Sequence, residues 1–566
     1  MTEQRLSGTG VTPLSGVGRA VWYTPDRGVG DSYDDESMDS AVELTRFENA
    51  REDVRAAIEA DRERAAERVG ESEAAVFDAH VRFLEDPQVT AGVEDEIDKG
   101  APAEQAVDRT FAEFIDQFEA SDGRMSERAD DLRDVRDRLV CALSGEGRFD
   151  LATLPAGSVI LAERLTPSDT AKLDQSRVAG FATVTGGSTS HAAIFARSLA
   201  IPAVVGVGEP LRDVEAGARV AVDGSEDAVV IDPSATTRNA AERDHETEVY
   251  EATVATTDGT SIEVAANVGT AADLDPAVEY GADGIGLLRT EFLFLDRSAP
   301  PDGDEQYQAY RRALEAFPDG RVVIRTLDAG GDKRIDFLDL PDEANPFLGE
   351  RGVRRSLGPD GGLFETQLRA LLRAAADAER GAGDLSVMLP FVTTVGEVTT
   401  AQETLSSIAA DLDTDDRDRP EFGVMVETPA AALLAKDIVG HVDFLSIGTN
   451  DLTQYVMAVE RGNERVDALA DARQPAVLRA IHATVEAANG EDAWVGMCGE
   501  MAGDPDLTAL LVGLGLDELS MSPVSIPAVK RAVTEVQDAA ARDLASRALD
   551  ASTSDEVERL LEEHRS

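Results

Sequence analysis

The second half of the chain alternates short apolar runs with longer amphipathic stretches. The stretches, such as 364–380 and 397–412, carry apolar residues at helical spacing. The runs have the length of strands buried on both faces, which favours parallel pairing. They lie at 262–268, 284–288, 322–327, 386–390, 423–426, 442–447, 494–497 and 518–521. Eight strand–helix alternations predict a TIM-type (β/α)₈ barrel over residues 255–566.

The pattern between residues 37 and 143 is helical. Gly and Pro become scarce there, and apolar residues recur at helical spacing, beginning with Leu44, Phe47, Val54 and Ile58. Further helices are predicted at 74–84, 103–118 and 127–143, separated by Asp86-Pro87 and by Ser121-Asp122-Gly123. Residues 31–145 are therefore predicted to form a helical subdomain with strongly acidic outer faces.

Residues 146–231 return to short β-type runs with turn signals between them. The runs lie at 159–162, 178–182, 203–207, 219–222 and 228–231, and Asp223-Gly224 is a hairpin signal. One further strand is predicted from about Gly8 to Val21. The sequence thus predicts an α/β domain of residues 1–30 and 146–231, with the helical subdomain inserted through surface loops. Residues 232–254 predict a linker helix that lets this domain move against the barrel.

Acidic residues far outnumber basic ones, with 110 Asp and Glu against 53 Lys and Arg and a formal net charge of −57. The excess is dispersed along the chain, and it repels nucleic acid and anionic lipid. We therefore expect no nucleic-acid binding and no membrane insertion, since no run has the length of a membrane span. Such a charge is typical of adaptation to very high salt, where screening limits self-repulsion.

The cysteine content and the N-terminus indicate the compartment. Cys141 and Cys498 are far apart in the sequence and imply no disulfide framework. The N-terminus lacks a basic-then-apolar signal pattern. We expect a cytoplasmic protein.

One loop predicts a phosphoryl acceptor. Gly186 and Gly187 allow a sharp turn and close approach to a ligand. Three hydroxyl residues follow and predict a capped helix start: Ser188, Thr189 and Ser190. His191 begins that helix, where N–H groups and the helix dipole favour an anion, so its imidazole is placed to accept a phosphoryl group. The alternative is a glycine turn before a helix that happens to start with His, and the loop alone leaves both open.

Chemistry in such barrels belongs at the carboxyl ends of the strands. The candidates at those ends are Arg289, Arg325, Glu427, Asn450, Asp451 and Cys498, with Arg351 and Arg461 in loops. Arginines clamp phosphate or carboxylate by paired hydrogen bonds, so their convergence predicts an anionic substrate. A surface salt bridge explains each arginine singly, but it explains their joint occurrence poorly.

Carboxylates at the same ends predict a metal site. Glu427 and Asp451 are hard oxygen ligands suited to Mg²⁺, with Mn²⁺ as the alternative. The chain has neither a CxxC pair nor a His cluster at metal spacing, so zinc is not indicated. It also lacks a GxxxxGK[ST] or GxGxxG motif in a strand–helix setting, so a nucleotide site is not indicated.

Two further residues allow two interpretations each. Cys498 ends a strand and is either inert packing or, beside a metal and arginines, a proton donor. His80 lies one turn from Phe77 and Leu84, and we interpret it as a core or rim residue rather than a ligand.

Several segments together resemble Enzyme I of the bacterial phosphotransferase system, the phosphoenolpyruvate–protein phosphotransferases. The segments lie in the family's order along nearly the whole chain, and several are long and distinctive. They are Leu165-Thr166-Pro167-Ser168 and residues 186–205, 284–292, 345–351, 426–431, 446–455, 496–501 and 515–518.

The resemblance implies a role for each candidate residue. His191 falls on the phosphoryl-accepting histidine, with Thr170 on a hydroxyl that contacts it and with the loop residues Gly186, Gly187, Thr189 and Ser190 in support. Phosphoenolpyruvate binding falls to Arg289, Arg325, Arg351, Asn450, Asp451 and Arg461. Glu427 and Asp451 fall on the ligands of Mg²⁺ or Mn²⁺. Cys498 falls on the acid that protonates the enolpyruvate carbon.

The resemblance also implies partners. The helical insertion corresponds to the part that docks the small carrier HPr, which receives the phosphoryl group in the first step of sugar uptake. Family members dimerise through the barrel, so a homodimer is expected. Two positions depart from the family: Ser188 stands where many members have Arg, and Glu350 where the residue is often aromatic.

Two rival functions remain to be weighed. Phosphoenolpyruvate synthase and pyruvate phosphate dikinase share a phosphohistidine domain and a barrel, but they need a large nucleotide-binding domain before the histidine. A silent regulator would be expected to lose some of the chemical residues, and all of them are present: His191, Glu427, Asp451 and Cys498.

Overall fold

A computed structural model divides the chain into two compact units, Met1–Thr247 and Glu248–Ser566, which are described separately. The residues described are 3–12, 14–23, 39–68, 76–119, 124–144, 151, 154–170, 172–173, 177–187, 191–199, 201–244, 249–295, 297–330, 335, 337–341, 343–377, 384–412, 419–460, 463, 466, 469–491 and 493–565.

An eight-stranded sheet forms the α/β part of the first unit. Its strands are β1 (Gln4–Ser7), β2 (Thr9–Gly10), β3 (Ser15–Tyr23), β4 (Ser158–Ala162), β5 (Val178–Thr183), β6 (Ala203–Val205), β7 (Arg219–Asp223) and β8 (Ala228–Ile231). The order is β1-β8-β7-β3-β4-β5-β6-β2, with β3 to β6 parallel and the outer pairings antiparallel. The predicted hairpin after Asp223 is confirmed as β7–β8, where Asp227 takes a φ of 51° in the turn.

The N-terminal segment differs from its prediction. The single strand predicted at about residues 8–21 is two strands, β2 at one edge of the sheet and β3 in the middle, and β1 precedes them at the opposite edge. Gly10 sits so close to the neighbouring backbone that a Cβ there would lie 1.9 Å from Gly224 O. The glycine at position 10 therefore allows the backbone to pass close to Gly224, where a larger residue would clash.

Helices fill the insertion between β3 and β4. They are α1 (Ser40–Arg68), α2 (Val76–Leu84), α3 (Pro87–Asp98), α4 (Ala103–Glu119) and α5 (Arg124–Ser144). Their apolar faces meet in one core that includes Ile58, Phe77, Val93 and Phe111. Helix α3 was missed because Asp86-Pro87 looked like a break. Asp86 instead caps the helix, its carboxylate accepting from Gln88 N at 2.7 Å, and Pro87 occupies the first turn, where it costs no hydrogen bond.

Three short helices complete the first unit: α6 (Pro167–Thr170), α7 (His191–Ser198) and α8 (Ala235–Asp244). Within the predicted linker helix, residues 235–244 form α8, which packs on β3, and residues 249–253 are not helical; residues 245–248 lie outside the described part. Its first turn is fixed by Ser234 Oγ, which accepts from Thr237 N at 3.2 Å.

The second unit is the predicted parallel barrel. Its strands are β10 (Ser261–Val268), β11 (Ile285–Arg289), β12 (Arg321–Arg325), β13 (Asp384–Leu389), β14 (Glu421–Val426), β15 (Phe444–Gly448), β16 (Trp494–Cys498) and β17 (Glu518–Met521). Each pairs in parallel with the next, and β10 pairs with both β11 and β17, which closes the ring. A short β9 (Val254–Ala255) joins β10 antiparallel. The predicted fold class is confirmed.

Helices surround the barrel. They are α9 (Leu274–Glu279), α10 (Gly303–Ala316), α11 (Val353–Ser356), α12 (Gly361–Ala376), α13 (Val395–Asp411), α14 (Pro429–Leu433), α15 (Ala435–Ile438), α16 (Thr449–Met457), α17 (Pro475–Ala488), α18 (Thr508–Leu514), α19 (Ile526–Glu535), α20 (Asp538–Asp550) and α21 (Ser554–Arg565). Short 3₁₀ turns occur at Glu209–Asp213 in the first unit and in the second at Ala271–Asp273, Thr290–Leu293, Pro346–Leu348, Val439–His441, Glu500–Gly503, Pro505–Leu507 and Pro523–Ser525. No helix among the described residues is both long and apolar enough to cross a membrane.

Strand alternation decides which side chains reach the site. Val322 and Ile324 of β12 pack in the core between barrel and helices, whereas Val323 joins a separate cluster inside the barrel. Arg321 and Arg325 share the face of Val323 because successive side chains of a strand point to opposite faces. Arg321, at the amino end of β12, lies over the ring of Trp494 at 3.9 Å, and Arg325, at the carboxyl end, belongs to the rim.

Candidate active site

The described candidate residues of the second unit lie at one rim of the barrel. Arg289, Arg325 and Cys498 end their strands, and Glu427 follows β14 directly. The remaining ones stand in the connections that leave the same ends: Arg351, Asn450 and Asp451. Carboxyl ends of parallel strands open on one face of a barrel, so the sequence prediction of a shared rim is met by the topology. Arg461 lies outside the described residues.

Arg351 is held by several partners at this rim. Its buried guanidinium binds Asp328 through Nε at 3.0 Å and through Nη2 at 2.9 Å, and the same Nη2 lies 2.7 Å from Asp451 Oδ2. It also lies 5.0 Å from the ring centre of Phe391, and its Nη1 donates to Tyr455 Oη at 3.3 Å. The forked donor set thus fixes two carboxylates in one geometry.

Arg325 forms a second buried cation beside the first. Its Nη2 donates to Glu291 Oε1 at 2.8 Å and lies 3.3 Å from Asp328 Oδ2. Its Nε is buried and has no hydrogen-bond partner among the described residues. A buried guanidinium donor without a partner is costly, so this atom is suited to an anionic ligand.

Sequence reasoning missed the two acids that hold these arginines. Glu291 and Asp328 are almost fully buried, and Asp328 bridges Arg325 and Arg351. A signal was present, because Asp328 stands three residues after the end of β12 and Glu291 two residues after the end of β11. Both positions follow strand ends that already carried candidates.

Glu427 is buried at the same rim. Its Oε1 accepts a hydrogen bond from Phe391 N at 2.6 Å. Burial raises the pKa of Glu427 to about 8, helped by repulsion from Asp451 and Asp328 and opposed by Arg325 and Arg351. Phe391 has a φ of 57°, unfavourable for a bulky side chain, so backbone strain is accepted where its N–H meets Glu427.

The donor chemistry of the rim fits a hard divalent cation. Glu427 and Asp451 supply only carboxylate oxygens, and their mutual repulsion would be relieved by positive charge between them. No group of three or more His, Cys, Asp or Glu in the described ranges is arranged to hold a metal ion. Mg²⁺ commonly takes one or two carboxylates and completes its shell with water and substrate phosphate, so two ligands suffice, whereas a closed zinc site does not fit.

Cys498 is a buried thiol facing the barrel interior with Met425 and Phe444. Ser446 Oγ lies 3.4 Å from Cys498 Sγ, where its hydroxyl donates to the sulfur. Burial raises the pKa of Cys498 to about 11, so the sulfur stays protonated at neutral pH. A thiol that stays protonated can donate a proton but is a poor nucleophile.

Polar groups close to Cys498 complete the rim. Asn450 Oδ1 accepts from Glu500 N at 3.4 Å. Thr449 Oγ1 is buried and has no hydrogen-bond partner in the described part of the chain. A Cβ on Gly499 would lie 2.1 Å from Thr449 Oγ1, so only glycine leaves room there. Sequence reasoning also missed Thr449, and the glycine directly after Cys498 was the signal that another group approaches the backbone there.

The phosphoryl-acceptor candidate belongs to the first unit. His191 lies in α7, at the first position that the structure describes; its backbone is described, while its side chain and residues 188–190, with Ser188, Thr189 and Ser190, lie outside the described part, so the predicted cap stays a prediction. Gly186 has a φ of 124°, which favours glycine, and a Cβ on Gly187 would meet no atom within 4 Å. The turn therefore depends on Gly186.

Helix α7 is held from two sides. Ala192, Ala193 and Ala196 pack in the α/β core, while Phe195 packs in the core of the helical insertion. Helix α7 also packs against α6, whose last residue is the fully buried Thr170. The backbone at His191 is thus fixed by both parts of the first unit.

Comparisons with known proteins cover both units. Three models of PEP-utilising enzymes match the chain: the N-terminal domain over residues 7–128, the mobile domain over 154–227 and the PEP-binding domain over 243–538. A phosphoenolpyruvate-protein phosphotransferase of Haloferax volcanii is 65% identical over 563 residues, 99% of each chain. Proteins of the same name from Staphylococcus carnosus and Listeria innocua are each 42% identical, covering 98% and 94% of this chain and the same shares of their own.

Proposed function

The chain belongs to the phosphoenolpyruvate–protein phosphotransferase family, and from this premise we propose how its residues divide the reaction. Its activity is transfer of the phosphoryl group of phosphoenolpyruvate to protein. The observation that supports the assignment of residues is the rim of the barrel, where Arg325, Arg351, Glu427, Asp451 and Cys498 come from the ends of four strands, β12, β14, β15 and β16, or from the connections that follow them.

Substrate binding is assigned to the positive side chains of the rim. Phosphoenolpyruvate carries a phosphate and a carboxylate, and both suit forked guanidinium donors. We assign its binding to Arg289, Arg325, Arg351, Asn450, Asp451 and Arg461. The unpartnered Nε of Arg325 supports this assignment most directly.

A divalent cation is assigned to Glu427 and Asp451. When bound there, Mg²⁺, or Mn²⁺ as the alternative, supplies positive charge against the oxygens of the transferring phosphoryl group. The carboxylates are held for this task from the protein side: Phe391 N donates to Glu427 and Arg351 fixes Asp451.

His191 is proposed as the phosphoryl acceptor. The bond from the bridging oxygen of phosphoenolpyruvate to phosphorus breaks as a bond from phosphorus to imidazole Nε2 forms in line. The positive end of the α7 dipole lies at His191 and favours the anionic product. The supporting residues are Thr170, Gly186, Gly187, Thr189 and Ser190.

Cys498 is proposed to finish the chemistry. The departing enolate of pyruvate takes a proton at its terminal carbon from Cys498 Sγ, and the thiolate is reprotonated from solvent. Its raised pKa keeps the thiol protonated before this step, and protonation of the carbon converts the enolate into pyruvate, which is far more stable as the ketone.

Partners follow from the family. We propose that HPr receives the phosphoryl group from His191 in the first step of sugar uptake, docking on the helical subdomain of residues 31–145. The α/β domain of residues 1–30 and 146–231 then serves two partners in turn, with movement allowed by residues 232–254, while barrels at 255–566 pair two chains as a homodimer. A cytoplasmic location and adaptation to high salt complete the proposal.

Labelled phosphoenolpyruvate tests the assignment. With Mg²⁺ the chain should acquire acid-labile label, His191→Ala should acquire none, and added HPr should remove the label from the wild type. Chelation with EDTA should stop labelling, and Cys498→Ala should lower pyruvate formation by about 10²-fold or more. Label on His191→Ala would contradict the assignment, and strong dependence on ATP or AMP would instead support a nucleotide-using relative.

A further inference from the structure

A buried polar cluster joins the helical insertion to the α/β part of the first unit. We call it the His80 cluster. Its members come from α1, α2, α5 and α6, and each is at most 7% exposed along its side chain: Asp61, His80, Asp131, Asp134, Arg138 and Ser168. None of its members was given a role in phosphoryl transfer above, although Ser168 stands two residues before Thr170 in α6.

His80 carries a positive charge inside this cluster. Its Nε2 lies 3.3 Å from Asp131 Oδ1, and its Nδ1 lies 3.2 Å from Asp134 Oδ2. Burial opposes protonation, but the two carboxylates outweigh it and raise the pKa of His80 to about 9. His80 therefore lies between two buried carboxylates, and its positive charge offsets theirs.

Asp134 is the member that reaches across to the α/β part. Besides His80 it binds Arg138 Nε at 3.1 Å. From the other side it accepts hydrogen bonds from the hydroxyl of Ser168 and from Thr166 Oγ1, the latter at 3.2 Å. Arg138 repeats the link, donating to the Ser168 hydroxyl and to Asp61 Oδ2 at 2.5 Å.

Thr166 and Ser168 belong to the short turn that presents Thr170. Thr170 Oγ1 donates to Thr166 O at 3.0 Å, and Asp169 Oδ2 accepts from Thr166 N at 3.1 Å. Tyr23 of β3 donates from its hydroxyl to Asp169 Oδ1 at 2.5 Å. Helix α6 is therefore bonded to the sheet on one side and to the His80 cluster on the other, and it packs against α7, which begins at His191.

We propose that Asp134 is a positioning residue for phosphoryl transfer at His191, acting through Ser168 and Thr166 on the turn that carries Thr170. The inference rests on the proposed roles of Thr170 and His191. A consequence is that the insertion assigned to carrier docking and the turn beside the acceptor form one bonded body. His80 and Arg138 hold Asp134 in place, and neither touches a reacting atom.

The composition of the His80 cluster is consistent with a role in orienting the turn that carries Thr170. Buried ion pairs contribute little net stability compared with apolar residues of the same volume, because desolvation offsets their attraction. They do impose fixed directions through their hydrogen bonds. The His80 cluster is therefore better suited to fixing the orientation of the helical insertion relative to the α/β part than to adding stability.

The experiment compares two carboxylates of the same helix. Asp134→Asn keeps the side-chain size, but an amide has one acceptor oxygen and cannot accept hydrogen bonds from Ser168 and Thr166 on two separate oxygens. Asp131→Asn is the matched control, because Asp131 is also buried and contacts His80, but no bond joins it to the turn among the described residues. The measured quantities are the single-turnover rate of His191 phosphorylation from labelled phosphoenolpyruvate, KM for phosphoenolpyruvate, and the unfolding midpoint of each variant.

Asp134→Asn should slow phosphorylation about tenfold with KM unchanged, because displacement of a supporting group by a fraction of an ångström weakens the chemical step while substrate binds on the barrel. Asp131→Asn should stay within about twofold at a comparable midpoint. Equal rates in the two variants, or a loss that follows only the fraction unfolded, would overturn the proposal. An unlabelled wild type would instead remove the proposed function on which it rests.

A second pair keeps the test open if Asp134→Asn folds poorly. Ser168→Ala removes the hydroxyl at the other end of the link and should slow phosphorylation similarly, while Ser168→Thr, which retains a hydroxyl, should restore most of the rate. Combined with Asp134→Asn, Ser168→Ala should add little further slowing, since both remove one interaction. Full additivity would show that the two residues act separately and would overturn the proposal.

Discussion

Arg351 Nη2 lies 2.7 Å from Asp451 Oδ2, although the two residues are 100 positions apart in the chain. The same guanidinium also binds Asp328, so one arginine neutralises two carboxylates. Asp451 is thereby oriented by a residue that we assign to substrate binding. The proposed substrate and cation sites at this rim therefore share one side chain, and changes in Arg351 should disturb both.

Arg351→Lys should lower kcat/KM for phosphoenolpyruvate by about 10²-fold, because lysine keeps the charge but cannot bridge Asp328 and Asp451 with a planar fork. Steady-state pyruvate formation with HPr as acceptor measures it, together with the Mg²⁺ concentration that gives half-maximal rate, which should rise. Arg354→Lys is the matched control. Arg354 also lies over Phe391, at 4.7 Å, but donates to backbone carbonyls of Leu348 and Gly349, so a change below about threefold is expected. Similar losses in both variants would contradict the assignment.

His80 should make the stability of the first unit fall as pH rises. Its pKa is about 9 in the folded chain against an ordinary 6.5. A raised pKa contributes stability that is fully present below about pH 6.5 and is lost as pH climbs through about 9, a difference of about 3 kcal/mol. His80→Gln should lack this decline.

Urea unfolding at several pH values between 6.5 and 9.5 measures the effect. Trp22 lies in the first unit and Trp494 in the second, and they are the 2 tryptophans of the chain. A Trp494→Phe background therefore makes Trp22 fluorescence a reporter of the first unit. If the free energy of unfolding changed with pH in the same way in the wild type and in His80→Gln, His80 would be neutral in the folded chain.

The two thiols should differ sharply in reactivity. Cys141 is half-buried, whereas Cys498 is buried with its pKa raised to about 11. At pH 8 only about one part in a thousand of Cys498 is thiolate, so a disulfide reagent should label one thiol of the native chain quickly and the second only on unfolding. Cys141→Ser should abolish the fast phase, and a fast phase that persists in this variant would place Cys498 in solvent.

Lys530 should be essential to the stability of the barrel. In a chain with 5 lysines, this one is fully buried, with Nζ 2.7 Å from Asp283 Oδ1 and 3.1 Å from each of two backbone carbonyls, those of Tyr250 and Ala252. Lys530→Met leaves Asp283 buried without its cation and should cost about 3–5 kcal/mol.

Thermal unfolding followed by circular dichroism measures that loss. Lys436→Met is the control, because Lys436 is exposed on α15, and it should change stability by less than about 0.5 kcal/mol. Equal midpoints for the two variants would mean that Lys530 contributes no more than a surface charge.

Much of the fold followed from local pattern. All eight barrel strands were predicted because each is a short apolar run between amphipathic helices, and the hairpin after Asp223 was predicted from its turn residues. Helix α3 was not, since Asp86-Pro87 serves equally as a break and as a helix start, and only the packing of Val93 into the helical core decides between them. The rim positions of Arg325 and Glu427 were likewise predictable from strand ends.

The sequence by itself determined most of the elements, the barrel and the chemical residue types, because strand and helix periods and motif spacing are local properties. Only the tertiary structure decided the partners. Nothing near Arg351 in sequence indicates that it holds Asp451, and nothing near His80 indicates that it lies between Asp131 and Asp134. Ion pairs of this kind depend on which side chains share a buried space, and that is fixed by the packing of distant segments, where low polarity makes each unpaired charge costly.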